Sequence, residues 1–213
     1  MSGRAEGARG PGPTVFVDVD TQVDFIEPDG ALHVPGAEGL KGRLRALVAA
    51  AEAGGAPVVA SADAHVAGDP ELGRFPPHCM AGTPGARKIP ETRPARAGVV
   101  GADGTRRGPA EGGATVVLEK VTFDLFDNPA AEAVLRDTGA ERAVVFGVAL
   151  DYCVRAAALG LAARGYETVV VEDATAPVTA EGGRAARAEL EAAGVRFRTT
   201  AEVLAELARE ARP

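Results

Sequence analysis

Tryptophan is absent from this chain, aromatic residues make up 4% of it, and 213 residues hold only two cysteines and three histidines. Each scarcity excludes something. Two cysteines far apart, Cys79 and Cys153, make no disulfide framework, so a reducing compartment and a cytoplasmic location are expected. No apolar run is long enough for a membrane span. Residues 1–13 (MSGRAEGARGPGP) lack the apolar segment of a signal peptide and read as a disordered tail. Cationic side chains are in deficit: 23 Lys and Arg against 30 Asp and Glu leave a net charge of −7. That balance argues against nucleic-acid or membrane partners, either of which needs a basic surface.

What remains is ordinary globular composition, 46% hydrophobic and 25% charged, rich in Ala and Gly. A single domain over 14–213 is expected. Strands are predicted at 14–20, 57–61, 115–120, 143–148, 168–172 and 195–199. Helices are predicted at 37–53, from Asn128-Pro129 to about 137, from Cys153 onward, near 180–193, and after a Thr200 cap. The residues between, 21–36, read as a loop. Continuous apolar strands alternating with helices give an α/β fold, a mainly parallel sheet of five to six strands covered on both faces. One stretch interrupts the alternation. Residues 79–114 are rich in Gly, Pro and Arg, and only 98–100 resembles a strand. A loop that long is expected to fold over the site or to meet another subunit, if it is not a plain surface insertion.

Cys153 is the most telling residue. It follows a buried strand and opens a helix, where backbone N–H groups and the helix dipole favour thiolate. Three other polar residues share its setting: Asp20 ends the first strand, Asp63 follows the second, and Lys120 ends the third. In a parallel sheet all carboxyl ends lie on one edge, where ligands bind. Each residue alone has a bland reading, as helix cap, snorkelling lysine or small apolar thiol. Together they make a nucleophile with its base: Asp20 takes the Cys153 proton and Lys120 holds Asp20. Backbone N–H groups of Ala149 and Cys153 would form the oxyanion hole, each donor typically worth about 3 kcal/mol. A Cys–His pair has no support, since only His65 among the histidines lies near a strand end.

Asp63 and His65 stand two apart, on one side of an extended chain, and Glu71 and His78 follow closely. Such a set suits a divalent ion, Zn first with Mn or Fe as alternatives; the other reading is polar loop surface.

These residues fall in segments that resemble the isochorismatase-like cysteine hydrolases, and within them the nicotinamidases. DTQVDF (20–25) resembles the element carrying the catalytic Asp, here Asp20. DAH (63–65) with FPPHCMAGTPG (75–85) resembles the metal stretch, with ligands on Asp63, His65 and His78 and with Glu71 at a position filled by His or Glu. EKVTFDLF (119–126) carries the catalytic Lys120, and GVALDYCV (147–154) the nucleophile. The resemblance implies a three-layer α-β-α fold and a cis peptide at Val148–Ala149. It also implies a ring pocket walled by Phe25, Phe75 and Phe123, with the metal contacting the pyridine nitrogen of the substrate. The implied reaction is nicotinamide plus water to nicotinate plus ammonia through a Cys153 thioester, by a protein that is often a homo-oligomer. Two alternatives stay open: a related cysteine hydrolase of another small amide or carbamoyl or ureido compound, and a non-catalytic binding module.

Some residues depart from that pattern or carry other expectations. Asp18 stands at a place usually apolar in the family, so it either tunes Asp20 or is solvated or paired elsewhere. Asp127 stands where an aromatic is frequent. Cys79 reads as structural, His33 as exposed, and Asp24 and Gln22 as tethers of the first loop. Asp151 reads as orienting the Cys153 turn. Arg87, Lys88, Arg93, Arg96, Arg106 and Arg107 read as a solvated loop face.

Overall fold

Alternation within single strands decides the architecture. Val15, Val17 and Val19 face one side of the first strand and Phe16 the other, and all four are buried. A strand buried on both faces needs a layer above and a layer below. The computed structural model describes residues 12–108 and 115–210. Its first half contains β1 (Thr14–Val19), α1 (Val23–Ile26), α2 (Lys41–Gly54), β2 (Val58–Asp63), β3 (Gly98–Val100), β4 (Arg106–Arg107) and β5 (Thr115–Lys120). Then come α3 (Ala131–Asp137), β6 (Arg142–Val148), α4 (Arg155–Ala163), β7 (Glu167–Ala176), α5 (Ala180–Ala192), β8 (Arg196–Arg198) and α6 (Thr200–Glu210).

The strands form one sheet in the order β4-β3-β5-β2-β1-β6-β7-β8, parallel except for the β3–β4 pair. One core packs Val15, Val17, Val19 and Val145 against Val134 and Leu135 of α3, Leu161 of α4 and Leu190 of α5. The opposite core packs Phe16, Val144 and Phe146 against Leu44 and Leu47 of α2 and Val203 of α6. The layers are therefore α-β-α, as expected. The sheet has eight strands, not five to six, because the 79–114 segment supplies β3 and β4 at its edge. No helix among the described residues is long and apolar enough to cross a membrane.

Strand order reverses about β1, which pairs with β2 on one side and β6 on the other. The carboxyl ends of β1 and β6 thus border the crevice where open α/β sheets bind ligands. Gly147 allows the close approach there: its φ is 113°, and a Cβ on it would run into the Val19 carbonyl.

Several boundaries differ from the sequence reading. Residues 21–36 include α1. Asn128-Pro129 does not begin the helix; the Asn128 side chain accepts from the Ala130 N–H at 2.9 Å, a local turn that delays α3 to Ala131. Thr199, not Thr200, caps α6: Glu202 accepts from the Thr199 N–H at 2.7 Å and the Thr199 hydroxyl accepts from the Glu202 N–H at 3.3 Å, a capping box. The Thr200 hydroxyl donates to Asp173 instead. Of the expected tail, residues 1–11 lie outside the described residues, and the Pro13 carbonyl accepts from the N–H groups of Glu141 and Arg142. Residues 109–114 of the long loop also lie outside them.

Candidate active site and metal centre

Asp20, Asp63, Lys120 and Cys153 meet at the carboxyl edge of the sheet, as parallel strand ends require. Lys120 Nζ lies 2.8 Å from Asp20 Oδ2, 2.5 Å from Asp63 Oδ1 and 3.6 Å from Cys153 Sγ, and donates to the Thr122 carbonyl at 2.9 Å. The Ser61 hydroxyl donates to Asp20 Oδ1 at 2.6 Å. Asp20 is fully buried and sits at φ 47°, a left-handed backbone that aims its carboxylate across the sheet edge. Cys153 stands in a π-helical turn, Leu150–Val154, wound by the Val154 N–H on the Ala149 carbonyl at 3.1 Å, just before α4. Single π turns of this kind gather at functional sites. The Val148–Ala149 peptide before it is cis, as the resemblance implies.

The electrostatics correct one expectation. Burial pushes the Cys153 thiol well above its ordinary pKa; Lys120 pulls it down, but Asp20 and Asp63 push it up again. These surroundings favour the thiol form, against the thiolate that the helix start alone would favour. Burial likewise raises the Asp20 pKa, with Lys120 opposing and Asp63 adding to the rise. Burial alone would lower the Lys120 pKa, yet Asp20 and Asp63 raise it well above the usual value. Asp63 resists the upward pull of burial because Lys120 and His65 hold its pKa down. The site therefore holds a fixed ammonium, an ionised Asp63, and a carboxylate beside a thiol that can exchange one proton.

Beside it, Asp63, His65, Glu71 and His78 bring one ligand atom each within 4.8 Å of one another. The end of β2 is extended to hold them: Ala64 N–H donates to the Lys120 carbonyl, and His65 pairs with Cys79 and Ala81 through backbone bonds. Asp69 lies 3.2 Å from His65 Nδ1, and the Pro76 carbonyl 2.8 Å from His78 Nδ1. Both Nε2 atoms are buried without a hydrogen-bond partner. An orphaned imidazole nitrogen is costly unless a cation takes it. With two carboxylates facing them, these four residues fit a divalent ion, oriented as histidine ligands usually are by a bond to the other ring nitrogen.

A cavity of about 80 Å³ opens onto both clusters; Asp63, Glu71, His78, Ala149 and Cys153 reach its wall. One water needs about 10–15 Å³ on this measure, so the space suits a small ring and no polymer. The rest of the wall includes Phe25, Phe75, Phe123 and Tyr152. Phe25 leans on the His78 ring with centroids 5.4 Å apart, and Phe123 meets Tyr152 at 5.2 Å. Thus the structure brings together every catalytic, metal and pocket candidate of the sequence reading.

Other residues differ. His33 is not exposed but half-buried; it lines the cavity and pairs with Glu38 at 2.9 Å. Tyr152, adjacent to Cys153, escaped notice, although its position inside the nucleophile segment was the available signal. Lys88 is no part of a solvated face: it is buried against Asp18 at 2.9 Å, whereas Arg87, Arg93, Arg96, Arg106 and Arg107 are exposed. The long loop does not cover the cavity among the described residues; it runs beside the first loop and joins the sheet. Gln22 bonds both backbone groups of Asp63, Asp24 accepts from Cys79 and Ala31, and Asp151 accepts from Val178 and Thr179, all as tethers. Asp127 accepts from the Thr122 hydroxyl at 2.6 Å. Cys79 is buried, and burial raises its pKa.

The profile of the Isochorismatase domain matches residues 14–102 and 105–202. A nicotinamidase/pyrazinamidase of Mycobacterium tuberculosis is 33% identical over 189 residues, 84% of this chain and 95% of that protein. The structure is similar to that of a pyrazinamidase of Pyrococcus horikoshii in complex with zinc, with a TM-score of 0.74 and 26% identity over 87% of this chain and 98% of the other. It is also similar to N-carbamoylsarcosine amidase from Thermoplasma acidophilum, with a TM-score of 0.72 and 28% identity, covering 88% and 96%.

Proposed function

The chain belongs to the isochorismatase domain family, and from that membership we propose that it hydrolyses a small ring carboxamide, nicotinamide, to nicotinate and ammonia. The observation carrying this reading is the contact of Lys120 with both Asp20 and Cys153, at the wall of an aromatic cavity that three of the four metal candidates also reach. Asp20 acts as base. As Sγ of Cys153 attacks the amide carbon, its proton passes to Asp20, which makes a nucleophile of the buried thiol. The N–H groups of Ala149 and Cys153 receive the oxyanion. Protonated Asp20 then delivers the proton to the leaving nitrogen, ammonia departs, and a thioester remains on Cys153. Water loses a proton to Asp20, attacks the thioester, and nicotinate leaves as Cys153 regains its proton.

Lys120 keeps Asp20 ionised beside Asp63 and supplies positive charge next to sulfur. Asp63, His65, Glu71 and His78 would hold a divalent ion, zinc first, which when bound supplies a Lewis-acidic anchor for a ring nitrogen. Phe25, Phe75 and Phe123 flank the ring. The two buried, unpaired thiols fit a cytoplasmic location.

Hydroxylamine tests the covalent route. It should intercept the thioester, so nicotinohydroxamate should accumulate with wild type and not with Cys153→Ala. Ammonia release with no hydroxamate at any hydroxylamine concentration would contradict the intermediate. The likeness to N-carbamoylsarcosine amidase favours a second reading, a carbamoyl or ureido substrate with the same three residues. Ammonia release from an N-carbamoyl amino acid in place of nicotinamide would select it.

A further inference from the structure

Two residues before Asp20, near the carboxyl end of β1, lies a second buried acid that the chemistry above does not use. Asp18 is 1% exposed. Its Oδ2 is 2.9 Å from Lys88 Nζ, and its Oδ1 accepts from the Thr21 hydroxyl at 2.8 Å. Lys88, 7% exposed, also donates to Thr21 Oγ1 at 2.9 Å, and the Thr92 hydroxyl stands 2.6 Å from the same atom. Thr21 thereby uses its one donor and both acceptor positions. The backbone repeats the connection: Ile89 N–H donates to the Thr21 carbonyl at 3.0 Å, and Val23 N–H to that of Arg87 at 2.9 Å.

A buried ion pair is a poor way to stabilise a sheet, since desolvation offsets its attraction and apolar residues of like volume commonly do as well. Its position suggests another use. Asp18 and Thr21 flank Asp20, whose φ of 47° is one that an L-residue keeps only when its surroundings over-determine it. We propose that Asp18, Lys88 and Thr21 are positioning residues: one ammonium from the long loop fixes both sides of Asp20 and holds its carboxylate on Lys120 and Cys153. This rests on Asp20 being the base for Cys153. It gives the 79–114 segment a role at the site without covering it.

The test is the double variant Asp18→Val/Lys88→Met, read by melting temperature, by kcat and KM for nicotinamide, and by the rate at which iodoacetamide alkylates Cys153, followed on the Cys153 peptide. The double variant should melt near wild type, yet kcat should fall about 10- to 100-fold with KM unchanged, and alkylation should slow in parallel. A folded double variant with wild-type kcat and alkylation rate would overturn the proposal, because a merely structural pair is replaceable. If the double variant does not fold, Thr21→Val keeps the ion pair and removes the shared hydroxyl. It should show the same split, with Thr21→Ser restoring the rate, and a wild-type rate in Thr21→Val would overturn the proposal as well. Alkylation needs no substrate, so it decides even if nicotinamide is not turned over. Asp20→Asn sets the floor: if it leaves alkylation unchanged, the assignment of Asp20 as base fails, and not the clamp alone.

Discussion

Lys120 is the charge on which the site depends. Fully inside the protein, it serves Asp20, Asp63, Thr122 and Cys153 at once. Removing it would leave two carboxylates facing a thiol with no counter-charge. Lys120→Met should lower kcat/KM about 10²- to 10⁴-fold, the usual weight of a positioned proton-transfer apparatus. The sign of the pH dependence follows from Asp20. Burial raises its pKa, and it works as a base only when ionised, so activity is present above that pKa and lost as pH falls through it. The acid limb of kcat/KM should therefore lie above the ordinary carboxylate range, and a limb within or below that range would count against Asp20. At this scale the sequence was legible where residue type and strand-end position coincide, as for Asp20, Asp63, Lys120 and Cys153. It was not legible for His33, whose loop carries no periodicity, or for the Asp18–Lys88 pair, whose partners lie 70 positions apart in unpatterned chain. Nor could it show that burial and two acids outweigh a helix start in setting the Cys153 pKa.

At the scale of elements, the turn from β6 into α4 does most to shape the crevice. Gly147 has no room for a side chain against the Val19 carbonyl, and Asp20 and Ala149 lie just beyond the ends of the two strands that meet there. Gly147→Ala should therefore lower both melting temperature and kcat, whereas Gly36→Ala, also at a positive φ (79°) but with open space around it, should cost stability alone; equal kcat in the two variants would refute this. The six main strands could be read from apolar runs. Of the edge strands, β3 was visible as the strand-like 98–100, whereas β4 was not, because two residues give no pattern and it is set by its pairing with β3. Helix starts were misplaced by one or two residues, because the Asn128 side chain closes a local turn ahead of α3 and Thr199 rather than Thr200 caps α6.

Across the whole molecule the two cores fix the sheet, and the metal candidates tie a peripheral loop to it. Asp63 belongs to β2, whereas Glu71 lies beyond it in a 3-10 turn, Pro70–Gly73, and His78 in irregular chain. An ion bound by all of them stabilises only the folded form. At about 1,000 times Kd that is about 4 kcal/mol, or a rise in melting temperature on the order of 10 °C for a chain of this size. Zinc added to chelated protein should produce such a rise in wild type and little or none in His78→Ala. An equal rise in both would place the ion elsewhere.

The most direct test of the account is ammonia release from nicotinamide by purified protein, run before chelation, after it, and after metal add-back, with Cys153→Ala alongside. The account predicts turnover that disappears on chelation, returns with the metal, and is absent from Cys153→Ala. Metal-loaded wild type that releases no ammonia while Cys153 remains open to alkylation would contradict it.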